Sequence, residues 1–194
     1  QNIETNVYFG EKDKVTLKGT DKEFDYDGTP KSVEDGIQAT IGEYDLSDRF
    51  QGQYEVHYEG VNGTVYSSTM PPTNAGTYSC TVKIPDSNVY YMSDPITVRL
   101  TIKKIATKTP KAAQAAAWTD TSVTLEAPSA FVDGTAIPAE YKLEYCVDQG
   151  EWRDSPVFTG LTPETTYNFY VRVKEGVNTT ASAASEAVTV QTKK

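Results

Sequence analysis

The sequence predicts an all-β protein made of two β-sandwich domains in series. The clearest sign is the segment Leu161–Lys174, where a turn leads into a tyrosine and then into strict alternation. Its apolar positions recur at every second residue, at Tyr167, Phe169, Val171 and Val173. Successive side chains of a strand point to opposite faces, so this pattern predicts a strand with one buried face. A shorter copy at residues 74–84 lies about 90 residues earlier, roughly the length of one sandwich.

Composition limits the partners that this chain can have. Its 194 residues include 18 Lys and Arg against 27 Asp and Glu, a net charge of -9, and both halves are acidic. An acidic surface repels nucleic acid and anionic lipid, so we expect neither as a partner. No apolar run approaches the roughly 20 residues that a membrane span needs, so we expect no membrane insertion. We expect a monomer.

The first 14 residues are polar except for one apolar cluster, Val7–Phe9. Two interpretations stay open for residues 1–14, a tail from a preceding domain or an edge strand of the first domain. The chain begins at Gln1 without an initiator Met, a signal peptide or a sorting tail. We therefore expect it to be a piece of a longer protein.

The first domain, residues 1–104, shows short alternating segments separated by turn signals. Its apolar positions fall at Val15 and Leu17, at Tyr54, Val56 and Tyr58, and at Ile96, Val98, Leu100 and Ile102. Asp27-Gly28 and Asn62-Gly63 predict turns, and the first of them predicts a hairpin. Met70–Asn74 is not a central strand, because its two prolines lack amide donors.

The second domain, residues 105–194, begins after the pattern lapses near Lys104. Lys111–Ala117 is rich in alanine, but an isolated seven-residue helix is marginal, so we prefer an irregular first strand. Inward positions are predicted at Val123, Leu125, Ala127, Tyr141, Leu143, Tyr145, Val188 and Val190. Glu140, Lys142 and Glu144 are predicted to face outward, and Trp152 to lie on a short strand after the turn at 148–150.

Two cysteines fall one in each half. Cys80 is in phase with Tyr78 and Val82, so we expect it in a core. Cys146 is out of phase with Tyr145, so we expect it to face outward. We expect no disulfide between them, because a bond would need the two domains packed face to face.

His57 is the single histidine of the chain, with Glu55 and Glu59 on the same predicted outer face. A metal site or a general base needs convergent partners, which an open sheet face lacks. Asp25, Asp27 and Gly28 begin like a calcium loop but continue into Thr-Pro without the later ligands of an EF-hand. Asp45 and Asp48 join them only if the fold brings them near. We therefore predict no catalytic, metal or cofactor-binding residue and no cofactor.

Aromatic residues are the remaining candidates for binding, because the chain has 13 tyrosines. Four of them fall outside the inward phase, at Tyr66, Tyr90, Tyr91 and Tyr170. Exposed aromatic side chains are typical of sugar-binding faces. Packing across the sheet, with Arg or Lys stems over the rings, is the interpretation that we favour.

The second half resembles a fibronectin type III domain over about residues 108–192. The resemblance rests on the turn Leu161–Tyr167, on Ser122–Pro128 and on Val188–Val190. It implies a tyrosine corner, in which the Tyr167 hydroxyl bonds to the backbone near its own turn. The family usually has a core tryptophan where Ala127 stands here. The resemblance then implies that Trp152 refills that space from across the sheet.

The first half is similar to the MBG or YDG immunoglobulin-like repeats of bacterial cell-surface proteins. The matching stretches within residues 15–104 are Phe24–Val33, Tyr58–Thr64 and Asn74–Tyr78. The resemblances imply non-catalytic spacer or adhesive modules, extracellular or secreted, in a large Gram-positive surface protein. A host or cell-wall glycan or protein is the implied partner. Accessory, glycan-binding modules of a secreted carbohydrate-active enzyme are the alternative, and a hydrolase centred on His57 is the weakest hypothesis.

Overall fold

The computed structural model describes residues 10–194, so the Val7–Phe9 part of the expected tail or edge strand lies outside it. The chain divides into two compact units, and the division falls between Lys103 and Lys104. The all-β prediction is confirmed. Within residues 10–194, helix is confined to a 3-10 turn at Glu34–Gly36 and one α-helical turn, α1, at Ser47–Phe50. In the same part of the chain, no helix is long and apolar enough to span a membrane.

The first unit is a sandwich of mainly antiparallel sheets with two parallel strand pairs. Its strands are β1 (Asp13–Lys14), β2 (Thr16–Lys18), β3 (Lys22–Asp25), β4 (Gln38–Ile41), β5 (Tyr44–Asp45), β6 (Glu55–Val61), β7 (Ser67–Ser68), β8 (Gly76–Lys83), β9 (Tyr91–Met92) and β10 (Ile96–Lys103). They form a five-stranded sheet in the order β3-β10-β8-β6-β7, a three-stranded sheet β2-β4-β5 and the parallel pair β1-β9.

The core of the first unit lies between its two larger sheets. Leu17 and Ala39 come from the smaller sheet, and Tyr58, Cys80 and Leu100 come from the larger one. The inward positions predicted for the first unit are buried, except Ile96, which is partly buried. Alternation therefore identified this core correctly, because every one of these strands has one face against the opposite sheet.

The hairpin predicted at Asp27-Gly28 is wrong. The residues do form a turn, with Gly28 at a φ of 79°, but no strand returns beside β3. Instead β3 pairs with β10 in parallel, with Phe24 opposite Ile102. Pro30 follows the turn directly and has no amide to donate to a returning ladder, so the chain leaves the sheet there.

The second unit is a sandwich of two three-stranded sheets. Its strands are β11 (Gln114–Trp118), β12 (Val123–Glu126), β13 (Leu143–Val147), β14 (Val157–Phe158), β15 (Thr166–Val173) and β16 (Val188–Gln191). The sheet orders are β11-β12-β14 and β13-β15-β16. Buried side chains of both sheets form one core, namely Ala113, Val123, Leu125, Tyr145, Phe158, Phe169, Val171 and Val190.

The irregular first strand predicted for the second unit is confirmed. β11 pairs with β12, and its register shifts between Ala115 and Ala117. The inward position predicted at Ala127 is wrong, because β12 ends at Glu126 and Ala127 is exposed. Alternation holds only while the chain stays in a strand, and Pro128 follows immediately.

A tyrosine in each unit ties its own turn to the core. The Tyr167 hydroxyl accepts a hydrogen bond from the Thr162 amide at 3.0 Å, which confirms the predicted corner. In the first unit the Tyr78 hydroxyl donates to the Asn74 carbonyl at 2.6 Å. Both rings pack against the core of their unit. Each tyrosine therefore fixes the turn that precedes its strand.

Two serines complete the hydrogen bonding of β15 where β16 does not reach. The amides of Val171 and Val173 donate to the hydroxyls of Ser185 and Ser182 at 3.0 and 2.8 Å. The amides of these serines donate back to the carbonyls of the same two valines. The buried backbone of β15 is thus satisfied without a regular partner strand, as buried amides require.

We expect Tyr167→Phe to lower the free energy of unfolding of the second unit by about 1 kcal/mol, because the Thr162 amide loses its acceptor. Both tryptophans of the chain, Trp118 and Trp152, lie in the second unit, so urea unfolding followed by tryptophan fluorescence reports on it. Tyr170→Phe on the same strand is the control and should change little. Equal effects of the two substitutions would contradict a special role for Tyr167.

Candidate functional site

His57 lies on the exposed face of β6, as the alternation predicts. Its Nε2 is 3.0 Å from Oε2 of Glu59 and 3.2 Å from the hydroxyl of Ser67 on β7. A serine nucleophile needs one ring nitrogen for the serine and the other for the orienting carboxylate. Here the same nitrogen meets both groups, so the three residues do not form a catalytic relay.

The electrostatics of this cluster also oppose acid–base chemistry. Hydrogen bonds from Ser67 and then from His57 hold the pKa of the Glu59 carboxyl below its ordinary value. A general acid or base works best with a pKa near the operating pH, so this shift goes in the wrong direction. The cluster stabilises a charged carboxylate on an open sheet face.

The oxygens of Asp27 are taken up by hydrogen-bond donors of its own turn. Oδ1 accepts the amide and the hydroxyl of Thr29 at 2.9 and 2.6 Å, and Oδ2 accepts Nζ of Lys31 at 2.6 Å. Oδ1 of Asp25 lies 3.6 Å from Nζ of Lys103, and Oδ1 of Asp45 accepts a hydrogen bond from the Ser47 amide. Among residues 10–194, no group of three or more His, Cys, Asp or Glu side chains is placed to hold a metal ion.

The same turn occurs in the second unit around Asp133. Its Oδ1 accepts the amide and hydroxyl of Thr135 at 2.9 and 2.5 Å, and Oδ2 lies 2.7 Å from Nζ of Lys108. In both turns the lysine also lies over a phenylalanine ring, at 5.3 Å for Lys31 and 6.0 Å for Lys108. Sequence reasoning missed the second turn, although Asp-Gly-Thr occurs at both 27–29 and 133–135.

The outer face of β13 and β15 carries a cluster that was predicted to be exposed. Glu144 is only 7% exposed, and its Oε1 accepts Nε of Arg172 at 2.6 Å. The Arg172 guanidinium lies 4.3 Å from the Trp152 ring. Trp152 therefore does not refill the core, and it lies outside any strand. The outward prediction for Glu144 gave the right face but the wrong exposure, because neighbouring side chains cover that face.

Both cysteines are buried and free. Cys146 is only 4% exposed, so its predicted outward exposure is wrong. It lies directly opposite Tyr170 on the neighbouring strand, within the face that holds Glu144 and Arg172. Burial raises the pKa of Cys80 to about 12 and raises the pKa of Cys146 as well. Both thiols are therefore held in the unreactive protonated form.

The tyrosines predicted outside the inward phase divide between packing and exposure. The Tyr66 ring meets Tyr78 edge-on at 5.5 Å, and the Tyr91 ring meets Phe50 edge-on at 5.3 Å. Tyr170 is partly buried. Tyr90 is 71% exposed, and Tyr44, which alternation did not single out, is 77% exposed. Tyr44 is the first residue of β5, directly after the turn at Gly42, and a side chain at the end of such a hairpin is exposed.

No family model matches the sequence, and no curated protein matches it. Solved structures of low identity are similar to it. The FN1–FN3 domains of chicken CNTN1 are 10% identical, with a TM-score of 0.37, over 94% of this chain and 68% of that chain. A human fibronectin type III domain derived from KIAA0970 is 17% identical, with a TM-score of 0.30, over 42% and 70%. A set of titin domains is 17% identical, with a TM-score of 0.34, over 93% and 66%.

We expect Glu144→Gln to destabilise the second unit by about 2 kcal/mol, because it leaves the partly buried Arg172 without its charged partner. Urea unfolding followed by tryptophan fluorescence measures this change. Asp154→Asn is the matched control, since Asp154 binds Lys174 at 2.8 Å and its own side chain is largely in solvent. That substitution should cost less than about 0.5 kcal/mol. Similar losses for both variants would contradict the importance of burial.

We expect Asp27→Asn to lower the melting temperature at pH 7 and to lose this effect in acid. Hydrogen bonds from Lys31 and then Thr29 hold the pKa of Asp27 well below its ordinary value. A lowered folded-state pKa stabilises the protein above the unfolded pKa of about 4, and this stabilisation fades as pH falls below it. Melting curves from pH 7 to pH 2 measure the difference. Glu43→Gln in an exposed turn is the control and should show no such convergence.

Proposed function

We propose that this chain is a non-catalytic segment whose two sandwiches space or present other parts of a large extracellular protein. The observation that carries the proposal is the pair of separate cores, each closed by its own sheets and its own tyrosine-tied turn. A unit with its own core folds independently of its neighbours in the chain. Such units suit a serial spacer, in which length matters more than chemistry.

We also propose that the chain belongs to a protein on the surface of a bacterial cell. Its support is the likeness of Phe24–Val33, Tyr58–Thr64 and Asn74–Tyr78 to MBG or YDG repeats of bacterial cell-surface proteins. Tyr58 and Tyr78, which are central to that likeness, are both buried in the first core. The net charge of -9 suits a soluble extracellular module. A Gram-positive cell wall is the proposed location.

A second candidate function is glycan binding as an accessory module of a secreted carbohydrate-active enzyme. The observation in its favour is the exposure of Tyr44 and Tyr90 on the first unit. An exposed aromatic ring offers a flat apolar face with a polar hydroxyl at one end. The partner would then be a cell-wall or host polysaccharide.

An antibody raised against the 194-residue chain tests the surface proposal. We expect it to label intact cells that express the parent protein, and we expect external protease to remove the label. Labelling that appears only after the cells are permeabilised would overturn the proposal.

A glycan array separates the two candidate functions. If the chain acts only as a spacer, we expect it to bind no glycan on the array. Saturable binding that Tyr44→Ala or Tyr90→Ala abolishes, with an unchanged melting temperature, would favour the accessory module instead. Val65→Ala is the control, because Val65 is an exposed apolar residue. Tyr26→Ala would not serve, because Tyr26 packs against the core of the first unit.

A further inference from the structure

Two parallel strand pairs join the beginning of the first unit to its end. β1 pairs with β9, with Asp13 opposite Tyr91, and β3 pairs with β10, with Lys22 opposite Leu100. β10 is the last strand of this unit, which ends at Lys103. Tension between the two ends of the unit therefore acts across strands that are hydrogen-bonded to each other.

The direction of the β3-β10 pair decides how tension acts on it. Tension from the amino-terminal side pulls β3 back toward Lys22, and tension from the carboxyl-terminal side pulls β10 forward beyond Lys103. Because the two strands run in the same direction, they are pulled along their own axes in opposite senses. The hydrogen bonds of a parallel pair are evenly spaced, so this sliding stretches all of them together. Strands separated from one end would instead lose their bonds one after another.

Further hydrogen bonds extend the β3-β10 ladder at both of its ends. At one end the Tyr26 amide donates to the Lys103 carbonyl at 2.9 Å. At the other end, beyond the first residue of β3, the Arg99 amide donates to Oδ1 of Asp21 at 2.8 Å. The Asp21 carboxylate thus continues the ladder where the backbone of β3 does not reach. A hydrogen bond to a charged carboxylate is also stronger than one to a carbonyl.

Side chains on both faces of the pair oppose sliding as well. On the outer face, Nζ of Lys103 lies 2.9 Å from Oε1 of Glu23 and 3.6 Å from Oδ1 of Asp25. On the inner face, Phe24 lies opposite Ile102 and packs against the core of the unit, in which Ile102 is buried. Sliding β3 along β10 would pull Phe24 away from this core and expose apolar surface to water.

We propose that the β3-β10 pair, which we call the clamp and define as residues 21–26 and 99–103, holds the first unit closed against tension applied to its two ends. Its use as a load-bearing link rests on the proposed spacer role, because a spacer transmits tension between the parts that it separates. β1 and β2 precede the clamp in the chain and have only two and three residues. We therefore expect them to detach first, after which the tension acts on the clamp.

The direct test applies force to the clamp in two directions, in single-molecule optical-tweezers experiments on the full chain. One variant carries handles at Thr20→Cys and Ala106→Cys, so the force slides β3 along β10. The other carries them at Pro30→Cys and Ala106→Cys, so the force separates the same strands from the end at Asp25. All three positions are exposed, and both native cysteines are buried, so the handles attach at the introduced thiols.

The two directions of force should give different opening rates. At the same force we expect the unit to open at least about tenfold more slowly when β3 slides along β10, because several hydrogen bonds must break in one step. We expect equal melting temperatures for the two variants, so the difference reports the direction of the force. Equal opening rates in the two directions would overturn the clamp.

Asp21→Ala and Asp45→Ala form a matched pair of variants. Each aspartate is exposed and accepts a backbone amide through Oδ1, from Arg99 at 2.8 Å and from Ser47 at 2.9 Å. Asp45 lies on β5, in the sheet that does not contain the clamp. It also accepts the Ser47 hydroxyl, so Asp45→Ala should lower the melting temperature at least as much as Asp21→Ala.

Only Asp21→Ala should weaken the unit against force. With the handles that slide β3 along β10, we expect it to raise the opening rate about fivefold and Asp45→Ala to leave the rate within about twofold. Unfolding under force follows the unfolding rate and not the equilibrium stability, so the two readouts are separable. Equal acceleration by both variants would indicate general destabilisation and would overturn the clamp.

The force experiment and the antibody experiment fail independently. Equal opening rates in the two directions would remove the clamp and leave the surface location of the chain untouched. Labelling that appears only after permeabilisation would overturn the surface location, while opening rates that depend on the direction of force would still support the clamp.

Discussion

Each sandwich depends on a tyrosine whose ring lies against the core while its hydroxyl holds the turn that precedes its own strand. In the second unit the Tyr167 hydroxyl accepts the Thr162 amide, and in the first the Tyr78 hydroxyl donates to the Asn74 carbonyl. The direction of the bond differs, but the mechanical result is the same. The turn and the eight-residue strand that follows it, β15 in the second unit and β8 in the first, cannot move independently. Register is thereby fixed where the two sheets must face each other.

The inward faces could be predicted from the sequence because a sandwich strand has one dry side, and alternation reports that side directly. Phe169 and Leu100 illustrate this, since both were predicted inward and both are fully buried. Exposure on the other side could not be predicted in the same way. Glu144 and Cys146 are on the outer face but are buried, because burial there depends on neighbours such as Arg172 that come from another strand. A period of two gives the face of a residue and says nothing of what lies over it.

Long-range pairing was the other part that local patterns could not predict. Nothing near Phe24 indicates that β3 runs parallel to β10, since the partner strand is more than 70 residues away. The Asp-Gly-Thr turns are different, since a repeated tripeptide was visible and its lysine partners were the unpredictable element.

The carboxylates of the chain differ in the groups that balance their negative charge. Asp27 and Asp133 bind the hydroxyls and amides of their own turns, and Glu144 is neutralised by Arg172. Their charges are used to hold structure, so nothing further is needed to satisfy them. Glu34 has no lysine or arginine as an ion-pair partner among residues 10–194, and partial burial raises its pKa above its ordinary value. A carboxyl pKa that is higher in the folded state makes the charged form of Glu34 a cost to folding at neutral pH, in contrast to Asp27 and Asp133.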